Sequence, residues 1–207
     1  MTSDSTEHYY AENPKSQARY GLVRTCLRSK PFEFITASSV FSIKRVDLGT
    51  RVLIESMILP EKGCVLDVGC GYGAVGIAAA KFNPKLHVVL TDVNRRAILL
   101  ARKNAEKNLA HNVEVRQGSL YEPTKDFCFN CVLSNPPVSA GMETVEAIIR
   151  GAPAVMAEKA LFQMVVRSKI GKKTLPQTFT EAFGNFKVLA IQSGYRILMG
   201  EKQPSVK

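Results

Sequence analysis

Two short runs in this sequence carry residues whose types and spacing suit chemistry on a nucleoside. The first is the glycine-rich run Asp67-Val-Gly-Cys-Gly-Tyr-Gly-Ala-Val-Gly76, which is followed later by the carboxylate of Asp92. Glycines in such a run allow tight backbone turns and leave room for a ligand to lie against the main chain. A carboxylate about 20 residues further on can accept hydrogen bonds from ribose hydroxyls. The pattern therefore predicts a site for an adenine nucleoside cofactor.

Two cofactors fit this glycine run. Gly71, Gly73 and Gly76 satisfy the dinucleotide pattern G-x-G-x-x-G. The run also resembles the first motif of class I S-adenosylmethionine-dependent methyltransferases, in which an acidic residue precedes G-x-G-x-G. Asp67 holds that acidic position, and a carboxylate there suits a cationic sulfonium better than an anionic pyrophosphate. We therefore predict contacts to S-adenosylmethionine from Asp67, Gly69, Cys70, Gly71, Gly73, Asp92, Val93, Ser119, Leu120 and Asn135.

The second run is Ser134-Asn135-Pro136-Pro137-Val138, which follows a predicted strand. Methyl transfer from a sulfonium is an in-line displacement, so the nucleophile must be aligned and its lone pair available. The lone pair of an exocyclic amine on a base is delocalised into the ring. The side-chain oxygen of Asn135 and the carbonyl of Pro136 can each accept one amine hydrogen, which localises that lone pair. Pro137 stiffens the loop, so Asn135, Pro136 and Pro137 are the predicted catalytic residues.

Four stretches resemble the small-domain methyltransferase family, which includes ribosomal RNA small-subunit guanine-N2 methyltransferases and short archaeal proteins. Residues 135–144 are similar to its N-P-P-x-x-x-G-x-x-T/V pattern, residues 40–50 to its F-S-x(n)-D-x-G-T pattern, and residues 91–97 and 194–196 to archaeal members. The resemblance covers residues 7–200. It implies a class I methyltransferase fold, S-adenosylmethionine as cofactor, and an exocyclic amine of an RNA base as acceptor. Guanine N2 of ribosomal RNA is favoured, with transfer RNA as the alternative.

Two positions depart from the family's pattern. Amine methyltransferases usually carry an aromatic residue after N-P-P that stacks on the target base, and this chain has Val138. Phe41 or Tyr72 is a candidate for the stacking face, or the base is held by apolar contact alone, and we predict base contacts at Phe41 and Val138. Ser119 stands where an acidic residue often reaches the adenine amine.

The charge pattern indicates a polyanionic partner. The 207 residues include 28 Lys and Arg against 18 Asp and Glu, a formal net charge of +10, and the excess grows toward the C-terminus. RNA or DNA is the leading partner class, and a basic surface kept for solubility is the alternative. Arg167, Lys169, Lys172 and Lys173 follow a predicted strand and are the predicted phosphate contacts, with the target base flipped toward Asn135. A solvated charge run is the other interpretation of these residues.

Other functions are open at the level of sequence. A protein methyltransferase that acts on a glutamine side-chain amide uses the same N-P-P chemistry. A noncatalytic RNA-binding domain would need neither Asp67 nor Asn135. A nicotinamide dehydrogenase has little support, because no residue set for hydride transfer is evident.

These residues must be positioned by alternating strands and helices, which run from residue 63 onward. The predicted strands are residues 64–68, 87–91, 113–116, 129–134, 161–166, 186–192 and 195–199, and the predicted helices are 74–82, 95–108, 142–159 and 175–183. Gly151 and Pro153 should kink or split the third helix. Ser193-Gly194 predicts a tight turn between the last two strands. We therefore predict an α/β, Rossmann-like fold with a mostly parallel seven-stranded sheet and a C-terminal antiparallel hairpin.

Residues 1–62 lack this alternation. We predict that they form a small N-terminal extension packed on the same domain, with a β-element at 30–42 and a helix at 46–59. Residues 63–207 are the predicted S-adenosylmethionine-dependent domain.

The composition excludes several classes of protein. Hydrophobic residues make up 45% and charged residues 22% of the chain, which is ordinary for a globular domain. No apolar run is long enough to span a bilayer and the first residues are unlike a secretory signal, so we expect a soluble, cytoplasmic protein. Five cysteines, an odd number, favour free thiols. For the pair Cys128 and Cys131, residues 127–134 are interpreted as one extended segment, in which residues three apart point to opposite faces, so we expect no metal. We also expect a monomer or a weak homodimer.

Overall fold

The computed structural model describes Glu12, residues 17–40, Ser42 and residues 44–204. The strands within these residues are β1 (Tyr20–Leu27), β2 (Lys30–Ala37), β3 (Gly63–Val68), β4 (Leu86–Asp92), β5 (Val113–Gln117), β6 (Phe129–Ser134), β7 (Met156–Arg167), β8 (Lys187–Gln192) and β9 (Tyr195–Glu201). The α-helices are α1 (Leu48–Ser56), α2 (Ala74–Phe82), α3 (Arg95–Lys107), α4 (Met142–Gly151) and α5 (Thr174–Phe183). In this part of the chain no helix is long and apolar enough to cross a membrane.

Seven of the strands form one sheet in the order β5-β4-β3-β6-β7-β9-β8. The strands β3 to β7 run parallel, β9 is antiparallel to β7, and β8 is antiparallel to β9. The turn between β8 and β9 has a φ of 53° at Ser193 and 79° at Gly194, as a type I′ hairpin requires. The predicted α/β fold, with a mostly parallel seven-stranded sheet and a C-terminal antiparallel hairpin, is confirmed.

Helices cover both faces of this sheet, and each face has its own apolar core. Buried side chains of α1, α2 and α3, such as Leu53 and Ile77, pack on one face. Those of α4 and α5, such as Ile149 and Phe179, pack on the other. Because the central strands are parallel, the ends of β3, β4, β6 and β7 meet at one edge of the sheet, where α/β proteins bind ligands.

One predicted helix is wrong at its end, where a short 3-10 turn, Ala152–Val155, follows the α-helix and a strand then begins. The sequence predicts a helix over residues 142–159, but α4 ends at Gly151 and β7 begins at Met156 instead of residue 161. Pro153 lacks the N–H that a continuing helix needs. The added part of β7 is irregular, since Lys159 has a φ of 62° and the pairing with β6 shifts register there. The first residues of β7 therefore do not show the regular alternation of apolar and polar residues that predicts a strand.

Before β3, the chain forms an antiparallel hairpin of β1 and β2, followed by α1. The β-element predicted at residues 30–42 corresponds to β2, but β1 was not predicted. Arg28 and Ser29, at its turn, have φ of 42° and 61°. Asn-Gly is the usual sequence for a turn of this conformation, so the residues Arg-Ser give no sequence signal for it. The buried face of the hairpin belongs to the same core as α2 and α3. The division into an extension and a domain at residue 62 stays a prediction.

Two asparagines of α3 attach this hairpin to the rest of the fold. Each side-chain amide accepts from one N–H of β2 and donates to the carbonyl of the same residue. Asn104 pairs in this way with Ile35, at 2.7 and 2.9 Å, and Asn108 with Glu33, at 3.2 and 2.7 Å. Asn104 also donates to the Tyr72 carbonyl in the glycine run, at 2.9 Å. The two amides thus take the place of a neighbouring strand on the outer edge of β2.

Candidate active site

A cavity of about 280 Å³ opens at the carboxyl ends of β3, β4 and β6. Its walls come from the glycine run after β3, the end of β4, the residues after β5 and the N-P-P run after β6. All the predicted cofactor residues except Gly73 line it: Asp67, Gly69, Cys70, Gly71, Asp92, Val93, Ser119, Leu120 and Asn135. Pro136 and Pro137 line it as well. The structure therefore brings these residues together, and their individual roles stay predictions.

The glycine run presents an open inner surface to the cavity. Gly69 and Gly71 have φ of 72° and 58°, and a Cβ on either residue would meet no protein atom within 4 Å. Gly73 differs, because a Cβ there would lie 2.8 Å from Cδ1 of Ile77. Gly73 therefore serves close packing at the start of α2, while Gly69 and Gly71 leave space for a ligand against the backbone.

Asp92 holds the glycine run at the end of β4. Its Oδ2 accepts from the backbone N–H of Gly71, and its Oδ1 accepts from that of Asn94, both at 2.8 Å. Burial raises the pKa of this carboxyl group, although the backbone donors oppose the shift. Each carboxylate oxygen has a further lone pair, so Asp92 can still accept from hydroxyl groups of a ligand.

Asp67 lies beneath the glycine run and is 1% exposed. Its Oδ2 accepts from the backbone N–H of Gly76 at 2.8 Å. Burial raises the pKa of Asp67 to about 7, and the negative charge of Asp92 adds to the rise. A cation bound nearby would favour the ionised form. The two carboxyl groups therefore make this end of the cavity suitable for a positively charged ligand.

Asn135 follows β6, and its side-chain amide contacts the start of α1. Its Nδ2 donates to Oγ1 of Thr50 at 2.8 Å and lies 3.5 Å from Oδ2 of Asp47. Among the described residues, none donates to its Oδ1. The carbonyl of Pro136 accepts from the N–H of Val138 at 2.9 Å and keeps a second lone pair. Two hydrogen-bond acceptors therefore lie in adjacent residues at the cavity wall.

The described residues that are predicted to contact the target base do not form a stacking surface in the cavity. Val138 packs against the core beneath α4 and does not line the cavity. Phe41 lies outside the described residues. Tyr72 lines the cavity but is 4% exposed, and its ring packs on Phe34 with the centroids 5.6 Å apart. Tyr72 therefore has little free ring surface for stacking, and no other aromatic side chain in the described part of the chain lines the cavity.

The predicted phosphate contacts lie outside the cavity, and all are exposed: Arg167, Lys169, Lys172 and Lys173. Arg167 ends β7, which runs parallel to β6 and next to it, so this basic segment occupies the same edge of the sheet as Asn135. The guanidinium of Arg167 lies 6.0 Å from the ring centroid of Tyr195. This location permits contact with a substrate at the cavity, but whether these residues bind RNA stays a prediction.

Asp47 and Thr50 are site residues that the motifs did not predict. Their signal is the Asp-Leu-Gly-Thr segment at the end of residues 40–50, which indicated a family but not a contact, because Asn135 lies 85 residues beyond Thr50. The described residues contain no group of three or more His, Cys, Asp or Glu that could hold a metal ion. All five cysteines are free.

A family model described as methyltransferase small domain matches residues 31–199. The uncharacterized protein YbxB of Bacillus subtilis is 35% identical over 199 residues, which are 95% of this chain and 99% of YbxB. The ribosomal RNA small subunit methyltransferase C of Shigella flexneri is 32% identical over 172 residues, which are 79% of this chain and 48% of that protein. The chain thus spans about half the length of the curated ribosomal RNA methyltransferases that it matches.

Solved structures share the fold. The T. thermophilus 16S rRNA N2 methyltransferase RsmC, in complex with AdoMet and guanosine, aligns with a TM-score of 0.81 at 24% identity, over 92% of this chain and 52% of RsmC. Precorrin-6y C5,15-methyltransferase of Geobacter metallireducens aligns with a TM-score of 0.66 at 17% identity, over 83% of this chain and 94% of that one. At these identities the likeness shows a common fold.

Proposed function

The chain belongs to the methyltransferase small domain family, as its motifs predict, and from this premise we propose that it methylates an exocyclic amine of an RNA base with S-adenosylmethionine. The acceptor we propose is guanine N2 of ribosomal RNA, with transfer RNA as the alternative substrate. The observation that carries the proposal is one cavity that contains both the glycine run and the Asn135 amide, to whose Oδ1 no described residue donates. The relatives named as ribosomal RNA methyltransferases support the choice of substrate.

The residues of the cavity suit S-adenosylmethionine, which supplies a methyl group on a positively charged sulfur. The open surface at Gly69 and Gly71 admits a ligand against the main chain. Asp92 accepts from the ribose hydroxyls, and Asp67, ionised, balances the positive charge of the cofactor. Ser119 also lines the cavity and is neutral, so it offers the adenine a hydroxyl in place of a carboxylate.

Asn135 and Pro136 hold the acceptor amine. Oδ1 of Asn135 and the carbonyl oxygen of Pro136 each accept one N–H, which directs the nitrogen lone pair away from the conjugated ring. Both oxygens also stabilise the positive charge that develops on the nitrogen as the new C–N bond forms. No strong base is required, because the methylated amine is acidic enough to lose a proton to solvent.

The RNA approaches along the basic segment at the end of β7. Arg167, Lys169, Lys172 and Lys173 contact phosphates, and the target base is turned out of its stack toward Asn135. Unstacking costs a few kcal/mol in a duplex and less in a single strand, so loops and unpaired segments are favoured. The net charge of +10 supports a polyanionic substrate. The cytoplasmic location and the monomeric or weakly dimeric state stay predictions.

Methyl transfer from radiolabelled S-adenosylmethionine tests the proposal. RNA and protein from cells that lack this gene are the substrates, and the labelled nucleosides are identified after digestion. We expect label in N2-methylguanosine, and we expect Asn135→Ala to abolish it while calorimetry shows a nearly unchanged cofactor Kd, because Asn135 is only one of ten predicted cofactor contacts. Label in protein alone would replace the proposal with a glutamine-amide methyltransferase. Absence of cofactor binding would replace it with an RNA-binding domain.

A further inference from the structure

We propose that Asp47 and Thr50 are positioning residues, which hold the Asn135 amide with Oδ1 toward the cavity and thereby restrict the acceptor to amines that donate two N–H groups. The inference rests on the proposed function and deepens it, because it concerns the acceptor that this site can take. Neither residue contacts the reacting atoms; both act through Asn135.

The orientation of the Asn135 amide decides what the site can bind. An asparagine amide that turns by about 180° exchanges its oxygen, which accepts, for its nitrogen, which donates. With Oδ1 toward the cavity, Asn135 accepts from an amine. With Nδ2 toward the cavity, it would instead donate to an oxygen and leave the amine hydrogens without this partner.

The contacts of Asn135 select the first orientation. Thr50 alone would not select it, because a hydroxyl both donates and accepts. The carboxylate of Asp47 only accepts, and its Oδ2 lies 3.5 Å from Nδ2 of Asn135, on the same side as the 2.8 Å bond to Thr50. In the reversed orientation an amide oxygen would face this carboxylate, which is electrostatically unfavourable.

The first turn of α1 holds these two residues rigidly. Asp47 is the N-cap, and its Oδ2 also accepts from the backbone N–H of Thr50 at 3.2 Å. Thr50 is 5% exposed. A Cβ on Gly49 would lie 2.7 Å from Cε1 of Tyr195, so glycine allows the turn to pack against that ring. The Asp, Gly and Thr of this segment therefore each have a separate contact that fixes the start of α1.

This arrangement favours an amine over other nucleophiles. Nδ2 of Asn135 donates to Thr50 and lies near Asp47, so the donor side of the amide faces α1 and not a substrate oxygen. The Asp47 carboxylate polarises the amide and increases the negative charge on Oδ1, which strengthens its bond to a nitrogen that becomes positive. A hydroxyl nucleophile has one hydrogen for the two acceptors Oδ1 and the Pro136 carbonyl, and a primary amine satisfies both.

Three substitutions test the role of Thr50. Thr50→Val removes the hydroxyl and keeps the shape of the side chain, whereas Thr50→Ser keeps the hydroxyl. Thr178→Val is the matched control, since Thr178 is 3% exposed and its hydroxyl bonds the Thr174 carbonyl in α5, outside the cavity. The measurements are kcat and KM for methyl transfer, cofactor Kd by calorimetry, and the NMR signals of the Asn135 side-chain amide, assigned by their loss in Asn135→Ala.

We expect Thr50→Val to lower kcat about 10-fold, from the loss of one hydrogen bond to the amide, with cofactor Kd within about 2-fold of wild type. Thr50→Ser should retain wild-type kcat, and the Asn135 amide signals should shift in Thr50→Val but not in Thr50→Ser or Thr178→Val. Wild-type kcat in Thr50→Val, or equal losses in Thr50→Val and Thr50→Ser, would overturn the inference. Unshifted amide signals in Thr50→Val would overturn it even if the wild-type protein methylates no RNA, an outcome that by itself contradicts only the proposed function.

Discussion

Replacement of Asn104 by alanine is expected to weaken both the fold and cofactor binding, because this one side chain joins three parts of the molecule. Its amide accepts from the Ile35 N–H and donates to the carbonyls of Ile35 and Tyr72, at 2.7, 2.9 and 2.9 Å. Asn104 is fully buried, so alanine leaves these three backbone groups without their partner. The hairpin loses an attachment, and the glycine run loses a support behind the cavity.

The size of the effect follows from the number of groups left unsatisfied. Each buried backbone group without a partner costs about 1–3 kcal/mol, and water can reach the half-buried Ile35 in part. We therefore expect a loss of about 3–5 kcal/mol in the free energy of unfolding, which lowers Tm by about 10 °C in a chain of this length. A weakened glycine run should raise the cofactor Kd about 10-fold, which corresponds to about 1.4 kcal/mol.

Asn108→Ala is the matched control. Asn108 is 5% exposed and bonds Glu33 in the same way, but its third bond goes to the Asn104 carbonyl within α3 and not to the glycine run. Urea unfolding should show a comparable loss of stability for both variants, while calorimetry at 15 °C, where both stay folded, should show a raised cofactor Kd for Asn104→Ala alone. Equal Kd values for the two variants would refute the link between Asn104 and the cavity.

The remaining predictions concern charge and backbone shape. Because burial raises the pKa of Asp67 from 3.8 to about 7, the free energy of unfolding should fall as the pH rises through this interval, and urea titrations of Asp67→Asn should lack that fall. The same ionisation should tighten binding of the cationic cofactor between about pH 6 and about pH 8, and calorimetry on Asp67→Asn should show no such change. Replacing Lys172 and Lys173 together by alanine should lower the slope of log Kd for RNA against log salt by about 1.4, and an unchanged slope would remove them from the RNA contact. Gly71→Ala should block the cofactor, whereas Gly73→Ala should cost more stability because its Cβ meets Ile77, and thermal melts with and without cofactor distinguish the two.

The motifs of the site could be predicted because each lies within one connection between elements. The apolar pattern and the composition place β3 and β6 within one residue of their observed bounds. The glycine run comes directly after β3 in the chain, and Asn135 comes directly after β6. Since the carboxyl ends of parallel strands share one edge of the sheet, the proximity of Gly71 and Asn135 follows from the fold class alone.

The remaining features depend on contacts between segments that are distant in the sequence. Thr50 and Asn135 are 85 residues apart, and Ile35 and Asn104 are 69 apart. In the sequence Asn104 is a polar position on an amphipathic helix, which is typical of a solvent-facing residue, yet it is fully buried. Strand β1 was not predicted for the same reason. Its turn at Arg28 has no local sequence signal, and β1 forms because it pairs with β2.

The sheet order also determines the order in which the parts of the site can form while the chain is being translated. The glycine run, Asp92 and Ser119 are all synthesised by residue 120, so this half of the cavity can form while β3 still has an unpaired edge. That edge stays unpaired until β6 is synthesised. Asn135 is made 85 residues after its partner Thr50, which takes about 4–17 s at the usual rates of translation. A nascent chain that stops before β6 carries an open, apolar strand edge and lacks Asn135. On the growing chain, most of the proposed cofactor contacts are therefore made before the proposed catalytic residues.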